Sequence, residues 1–268
     1  MIISGDLAEE NMGIDFDCYQ MLLHEIRIVY HCAAKVAHYG KKEDFTRNNV
    51  TATENVLKFC LAADRAKCVV VSTTRLLYTE AEQEFYLYTE YTQAADCIPR
   101  EIYAESKIEA EQLVQHYRER GVNASIIRVG TVMAEYDTGL FQKNIESNAF
   151  YIVMKALFKL KMFPAIETEI LDFSYVDSVA SAILKLSTEY DCCNETFHVF
   201  NNDKLSESEF YGLLHAAGLP NSIQLLPFDE YYDAIYDMYL EHENKILIDD
   251  ILLHASTYIS FDGDLSMT

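Results

Sequence analysis

Tyr103 and Lys107, in the stretch Tyr103-Ala-Glu-Ser-Lys107, have the types and spacing in this 268-residue sequence to move a proton. Four positions apart on a helix, the two side chains share one face. A lysine cation held near a phenol favours the phenolate, so the phenol becomes a better proton donor and acceptor near neutral pH. Spacing alone decides nothing, because the chain has 19 tyrosines and repeats the pattern at Tyr151-Ile-Val-Met-Lys155. The surroundings separate the two copies. Tyr151 sits in "NAFYIVMKALFKLKMF", an apolar helical stretch that follows no hydroxyl-bearing strand end, and it reads as core or pocket wall. Tyr103 opens "AESKIEAEQLVQHYRERG", where Ile108, Leu113 and Val114 fall at inward-facing helical spacing and Gly121 is placed to end the helix.

Other elements must hold that helix. "IRIVYHCAA" (26–34), "AKCVVVSTT" (66–74) and "NASIIRVGTVM" (123–133) are short runs rich in Val and Ile, and each reads as a buried parallel strand. Between the first two, "NNVTATENVLKFCLAADR" places Val50, Val56, Leu57, Cys60 and Leu61 at helical spacing. Strand, helix, strand, helix, strand is the pattern of an α/β protein with a parallel sheet. Ligands of such sheets bind at the carboxyl ends of the strands. Those ends read "HCAAKV", "VSTT" and "RVGTV": small residues that let a ligand approach the backbone, with hydroxyls at Ser72, Thr73 and Thr74.

Composition narrows the function. The chain is 50% hydrophobic, with 43 acidic against 21 basic residues and a net charge of −22. That length and apolar content allow one large core or two lobes sharing a cleft. Nucleic acid and anionic membrane are excluded as general partners, because phosphate contacts need a basic surface. No uninterrupted apolar run reaches membrane-spanning length and no positively charged, apolar leader opens the sequence, so a soluble, reducing, cytoplasmic setting is expected. Seven cysteines are scattered at Cys18, Cys32, Cys60, Cys68, Cys97, Cys192 and Cys193. None forms a C-x-x-C pair with a matching cluster, and the histidines form no ligand pair at helical spacing, so neither a metal site nor a disulfide framework is expected.

Taken in order, "GDL" (5–7), "HCAAKV", "NNVTATENVL", "VSTT", "YAESK" and "RVGTV" resemble the successive landmarks of the extended short-chain dehydrogenase/reductases. "DTGLFQKNIESNAF" and "FPAIETEILDFSYVDSVASAIL" further resemble the thioester reductase domains at the carboxyl end of nonribosomal peptide and polyketide synthetases. The resemblance runs from about residue 3 to about residue 230. It implies a Rossmann-type parallel sheet, made of residues 1–134 and 170–203, with a smaller substrate-binding lobe of residues 135–169 and 204–268. The implied activity is NADPH-dependent reduction (NAD not excluded) of a thioester on a phosphopantetheinylated acyl or peptidyl carrier protein, giving an aldehyde or alcohol.

Residue by residue, the resemblance implies that Asp6 and Leu7 flank the adenine and that Ala33, Ala34 and Lys35 line the cofactor groove. Thr73 shares the substrate oxygen with Tyr103. Lys107 holds the nicotinamide ribose and biases Tyr103, and Asn49 supports Lys107 through water. Arg128, Val129, Gly130, Thr131 and Val132 run beside the nicotinamide, with Thr131 where the family usually has Asn. The lesser alternatives from the residues alone are a helix N-cap for Asp6 and a hydroxyl capping the strand end for Thr73. "KALFKLKMF" (155–163) is the candidate docking patch for an acidic carrier, or simply a solvated helix face. The sequence has nine glycines and no G-x-x-G-x-x-G. "MIISGDL" reads as the family's third strand, so the glycine-rich turn that binds the pyrophosphate is expected to be missing along with the first two strand–helix units. Two other readings share these residues. Nucleotide-sugar epimerases and dehydratases use the same Thr/Ser-Tyr-Lys set, and a chain without the glycine-rich turn could be a non-catalytic fragment that only binds a partner.

Overall fold

The computed structural model describes residues 1–37, 40–63, 66–77, 87–165, 170–188, 193–220 and 222–241. In chain order its helices are α1 (Phe16–Glu25), α2 (Lys42–Phe45), α3 (Ala52–Ala62), α4 (Ile102–Glu119), α5 (Ala149–Leu160), α6 (Val176–Thr188), α7 (Glu207–Ala216) and α8 (Phe228–Leu240). Its strands are β1 (Ile28–His31), β2 (Lys67–Thr73), β3 (Ala124–Val129), β4 (Thr131–Met133), β5 (Met162–Ala165), β6 (Ile170–Leu171), β7 (Phe173–Tyr175), β8 (Thr196–Val199), β9 (Leu205–Ser206) and β10 (Gln224–Pro227).

The chain divides into two compact units, Met1–Val132 with Ser174–Phe200 and Met133–Phe173 with Asn201–Thr268. The first holds a four-stranded sheet in the order β1-β2-β3-β8, parallel throughout. Continuous apolar runs make this possible: Cys68, Val69, Val70, Ile126 and Ile127 are at most 1% exposed, as in strands covered on both faces. On one face Val56, Leu57, Phe59 and Cys60 of α3 and Val114 and Tyr117 of α4 pack with Cys68, Val70, Ala124 and Ile126. On the other, Val179, Ile183 and Leu186 of α6 cover Val69, Ile127 and Val129. The Cys60 and Cys68 thiols are neighbours inside this core. α4 ends where Gly121 takes a φ of 98°, and the Val122 N–H returns to the Tyr117 carbonyl at 3.0 Å, the closure a glycine permits after a helix.

Two expectations are corrected. β1 is less buried than its apolar sequence implies, with Ile28 and Val29 half-buried and Tyr30 36% exposed. It is the outermost described strand and pairs on one side only. "MIISGDL" forms no strand, and Met1–Asp6 are exposed. Its composition is strand-like, but a strand needs a neighbour to complete its ladder, and no described strand lies beside it. Instead it folds back on residues 9–14, the Asp6 N–H donating to the Met12 carbonyl at 2.9 Å. Both glycines of this turn are required: a Cβ on Gly5 would stand 2.5 Å from the Met12 oxygen, and Gly13 has a φ of +64°.

In the second unit β10 pairs in parallel with β5 and β6 pairs antiparallel with β9. Its core is Met154, Ala156, Leu157, Leu160, Phe163, Ile223, Tyr231 and Ile235. Ser206 and Glu209 form a reciprocal capping box at the start of α7. In "KALFKLKMF", Lys155 pairs with Glu146 at 2.9 Å, Lys159 and Lys161 are exposed, and Lys161 ends α5 in the left-handed conformation. Residues 166–169 and 242–268 and Cys192 lie outside the described residues. Among the described residues no helix is long and apolar enough to cross a membrane, and no group of His, Cys, Asp or Glu is arranged to hold a metal.

His31, which ends β1, makes folding sensitive to acid. It is 4% exposed, and its Nε2 lies 3.0 Å from Thr53 Oγ1. Thr53 gives its own proton to the Asn49 carbonyl at 2.6 Å, so the imidazole donates through Nε2–H and is neutral. Burial, aided by the Lys107 cation, lowers its pKa to about 4. The unfolded chain takes up this proton at a higher pH than the folded one, so the contribution is intact above about pH 6.5 and lost as pH falls toward 4. Between pH 7 and 4.5 His31 is expected to remove about 2–3 kcal/mol of stability. Urea unfolding midpoints at the two pH values measure it, and His31→Gln should flatten the difference.

Candidate active site

The ends of β1, β2 and β3 and the first two turns of α4 converge. β2 and β3 run in register to Thr73 and Val129, so their last residues lie level, and β2 continues into a 3-10 turn at Thr74–Leu76. Beyond His31, Cys32, Ala33 and Ala34 are exposed, whereas Ser72 and Thr73 are buried. α4 begins at Ile102, which places Tyr103 and Lys107 on its inner face at 9% and 4% exposure. The Thr73 hydroxyl neighbours the Tyr103 phenol. Burial pushes that phenol up to about 12; Arg75 and the Thr73 hydroxyl pull it back, and Glu101 adds to the rise.

Lys107 donates from Nζ to the Val71 carbonyl at 2.9 Å. Burial lowers its pKa to about 8, against the opposing pull of Glu111 and Cys32. Asn49 is 1% exposed, in a π turn (Thr46–Thr51) that joins α2 to α3 without leaving helical backbone. Its carboxamide accepts from the Lys35 N–H at 2.7 Å and donates to the Lys35 carbonyl at 3.1 Å and Ser106 Oγ at 2.8 Å. Ser106 Oγ donates in turn to the Tyr103 carbonyl at 2.7 Å. One side chain thus ties the loop after β1 to the helix that carries Tyr103.

The other residues named from the sequence have partners of their own. The Asp6 carboxylate accepts from Arg47 at 2.9 and 3.3 Å and from the Ala8 N–H at 3.0 Å, which closes a local turn rather than capping a helix. The Leu7 carbonyl accepts from Asn55 Nδ2 at 2.9 Å. Lys35 Nζ pairs with Asp44 at 2.8 Å. The Gly130 N–H bonds to the Val199 carbonyl at 3.2 Å, and Val129 is buried while Thr131 and Val132 are half-buried. The Arg128 side chain does not face a groove. It is 2% exposed, its Nη2 lies 2.7 Å from Glu111 Oε2 and 2.9 Å from the Thr92 carbonyl, and its Nη1 lies 3.4 Å from His198. At the second copy of the pattern, Lys155 Nζ lies 5.8 Å from the Tyr151 ring, on α5 of the other unit.

Glu111 and Ser106 escaped the sequence reading. Glu111 is 2% exposed; besides Arg128 it accepts from Ser72 Oγ at 2.5 Å. The available signal was a charge on the apolar face of α4, in line with Ile108 and Val114, facing an arginine in a largely apolar strand. Removing one member leaves the other charge buried and unpaired. Glu111→Ala is therefore expected to destabilise by about 3–5 kcal/mol, read as a shift in urea midpoint. The Glu111→Leu/Arg128→Met double variant is expected to cost less than the single change.

Proteins of known structure share this fold. A linear gramicidin synthase of Brevibacillus parabrevis is 23% identical over 236 residues, 88% of this chain but 4% of that protein. The terminal R domain of the myxalamid PKS-NRPS pathway superposes with a TM-score of 0.80 at 23% identity, over 94% of this chain and 62% of that one. A thiolation-reductase di-domain from an archaeal non-ribosomal peptide synthetase superposes with a TM-score of 0.78 at 29% identity, over 98% of this chain and 54% of that one. The chain thus spans a small part of the gramicidin synthase and little more than half of these two structures. The profile of the male sterility protein family, an NAD-binding family, matches residues 1–183, more than half of the sequence, and the chain belongs to that family.

Proposed function

We propose that the chain is the reducing part of a thioester reductase, acting with NADPH on an acyl or peptidyl group carried as a phosphopantetheine thioester. The observation that carries this reading is the meeting of Thr73, Tyr103 and Lys107 at the carboxyl ends of β1–β3, in a chain 29% identical to a thiolation-reductase di-domain. The described residues fit the nicotinamide end of such a cofactor. Exposed Ala33 and Ala34 leave room for a ring against the backbone, and Lys107 supplies an ammonium for the ribose hydroxyls. The sequence contains no glycine-rich strand-to-helix turn, so no residue here is assigned to the pyrophosphate.

The reduced nicotinamide, when bound, supplies a hydride to the thioester carbonyl carbon. Negative charge then grows on the carbonyl oxygen, where the Thr73 and Tyr103 hydroxyls can donate to it. Tyr103 gives its proton to that oxygen, and collapse of the thiohemiacetal releases the thiol and an aldehyde. No acyl-enzyme is needed, so this chemistry calls for no Ser-His-Asp arrangement. The carrier is expected to be acidic, and the net charge of −22 opposes its approach, so docking relies on a local patch or on tethering. Lys159 and Lys161 are the candidate patch.

Tyr103→Phe is expected to lower kcat for reduction of a pantetheine thioester by about 10²–10⁴-fold, with NADPH affinity unchanged within about twofold. Tyr151→Phe is expected to be mild. NADPH oxidation and released thiol are measured together, and a larger loss at Tyr151 would refute the assignment. NADPH affinity is also expected to depend on pH. Lys107 is charged below its pKa of about 8 and neutral above it. The dissociation constant should rise as pH passes through that value, by roughly tenfold per unit, in fluorescence titrations from pH 6.5 to 9.5. A flat profile would show that the ammonium does not hold the cofactor.

A further inference from the structure

Two charged residues that the resemblance does not name flank Tyr103. Arg75 follows Thr73 by two positions, in the 3-10 turn that closes β2, and its own N–H donates to Thr73 Oγ1 at 3.2 Å. Glu101 precedes Tyr103 by two positions, at the N-cap of α4. A carboxylate at a helix start ordinarily accepts from the N–H groups of the first turn, but Glu101 makes no such bond. Its side chain is 6% exposed, and its Oε1 lies 3.0 Å from Arg75 Nε. A carboxylate so withdrawn from water needs a cation beside it. Arg75, with its side chain 38% exposed, supplies one while keeping contact with solvent.

We propose that Arg75 and Glu101 are paired positioning residues for Tyr103, their ion pair joining the turn that holds Thr73 to the helix end that holds Tyr103. After burial, Arg75, Glu101 and the Thr73 hydroxyl are the influences on this phenol. The other ionisable groups around it are engaged elsewhere. Lys107 binds the Val71 carbonyl and faces Glu111 and Cys32. Glu105 pairs with Lys42 at 2.6 Å, and neutral His31 bonds to Thr53. In the reaction the Tyr103 O–H bond breaks as a new O–H bond forms on the substrate oxygen, leaving a phenolate until solvent restores the proton. Arg75 stabilises that phenolate, and Glu101 keeps the phenol protonated between turnovers.

The proposal rests on Tyr103 being the proton donor, but its test does not require turnover. With tyrosine labelled by ¹³C at Cζ, the Tyr103 resonance is identified by its loss in Tyr103→Phe and followed to high pH. Glu101→Gln is expected to lower the proton affinity of the phenol by roughly tenfold. Adding Arg75→Gln to that variant should reverse the change, and adding Arg75→Lys, which keeps the charge, should not. Shifts in the same direction for both substitutions, equal behaviour of Gln and Lys at position 75, or no shift would each overturn the proposal. If Glu101→Gln does not fold, Arg75→Gln and Arg75→Lys are compared in reduction of a pantetheine thioester. Gln is then expected to lower kcat at least about tenfold with KM unchanged within about twofold, and Lys to restore it; equal losses overturn the proposal. Shifts of the expected signs in a protein that does not reduce thioesters would instead leave the pair standing and remove the reductase reading.

Discussion

Glu111 and Arg128 can be buried in this protein only together. Each is about 2% exposed, and a lone charge at that depth would be strongly destabilising. The pair therefore fixes where α4 lies on β2 and β3. Ser72 on β2 donates to the same carboxylate, and Arg128 on β3 reaches the Thr92 carbonyl in the loop before α4. Sliding or rotating α4 by a fraction of a turn would break these contacts at once. Tyr103 and Lys107 ride on that helix, so their station above the strand ends follows from the ion pair below them. Glu111 also sits one turn beyond Lys107 and favours its protonated form, against a burial that would otherwise neutralise it.

From the opposite side α4 is held by Asn49. A π turn is wider than an α turn and is common at functional sites. Here the Asn49 carbonyl receives the Thr53 hydroxyl, while its carboxamide grips both polar groups of the Lys35 peptide and reaches Ser106. The loop after β1, the π turn and the second turn of α4 thus behave as one hydrogen-bonded body. Removing the Asn49 carboxamide would orphan buried donors and acceptors in all three, so its part in the site is as much architectural as chemical.

The sheet and its helices were legible because buried parallel strands read as continuous apolar runs and α4 as a periodic one. The Tyr103–Lys107 pair was legible because a strand end with hydroxyls precedes it and Gly121 closes its helix. What could not be read depends on pairing across the chain. Asn49 meets Ser106, 57 residues away, and Arg75 meets Glu101, 26 residues away; neither spacing has a local signature. "MIISGDL" was misread for the same reason, since strand-like residues make a strand only beside a partner. Arg128 was placed beside the cofactor by resemblance alone, although the acidic residue facing its side chain on α4 was equally visible.

The distribution of sulfur has a practical consequence. Cys32 and Cys193 are exposed, whereas Cys60 and Cys68 touch each other beneath α3, and that contact, together with burial, holds the Cys68 thiol in its unreactive protonated form. A thiol reagent would meet the first two in the folded state and the second two only when α3 lifts from the sheet. Because Cys32 lies where the loop after β1 opens, anything seated on that loop would slow its labelling without protecting Cys193. The chain carries its own gauges, one for occupancy of the strand ends and one for breathing of the core, read from the order in which its cysteines are alkylated.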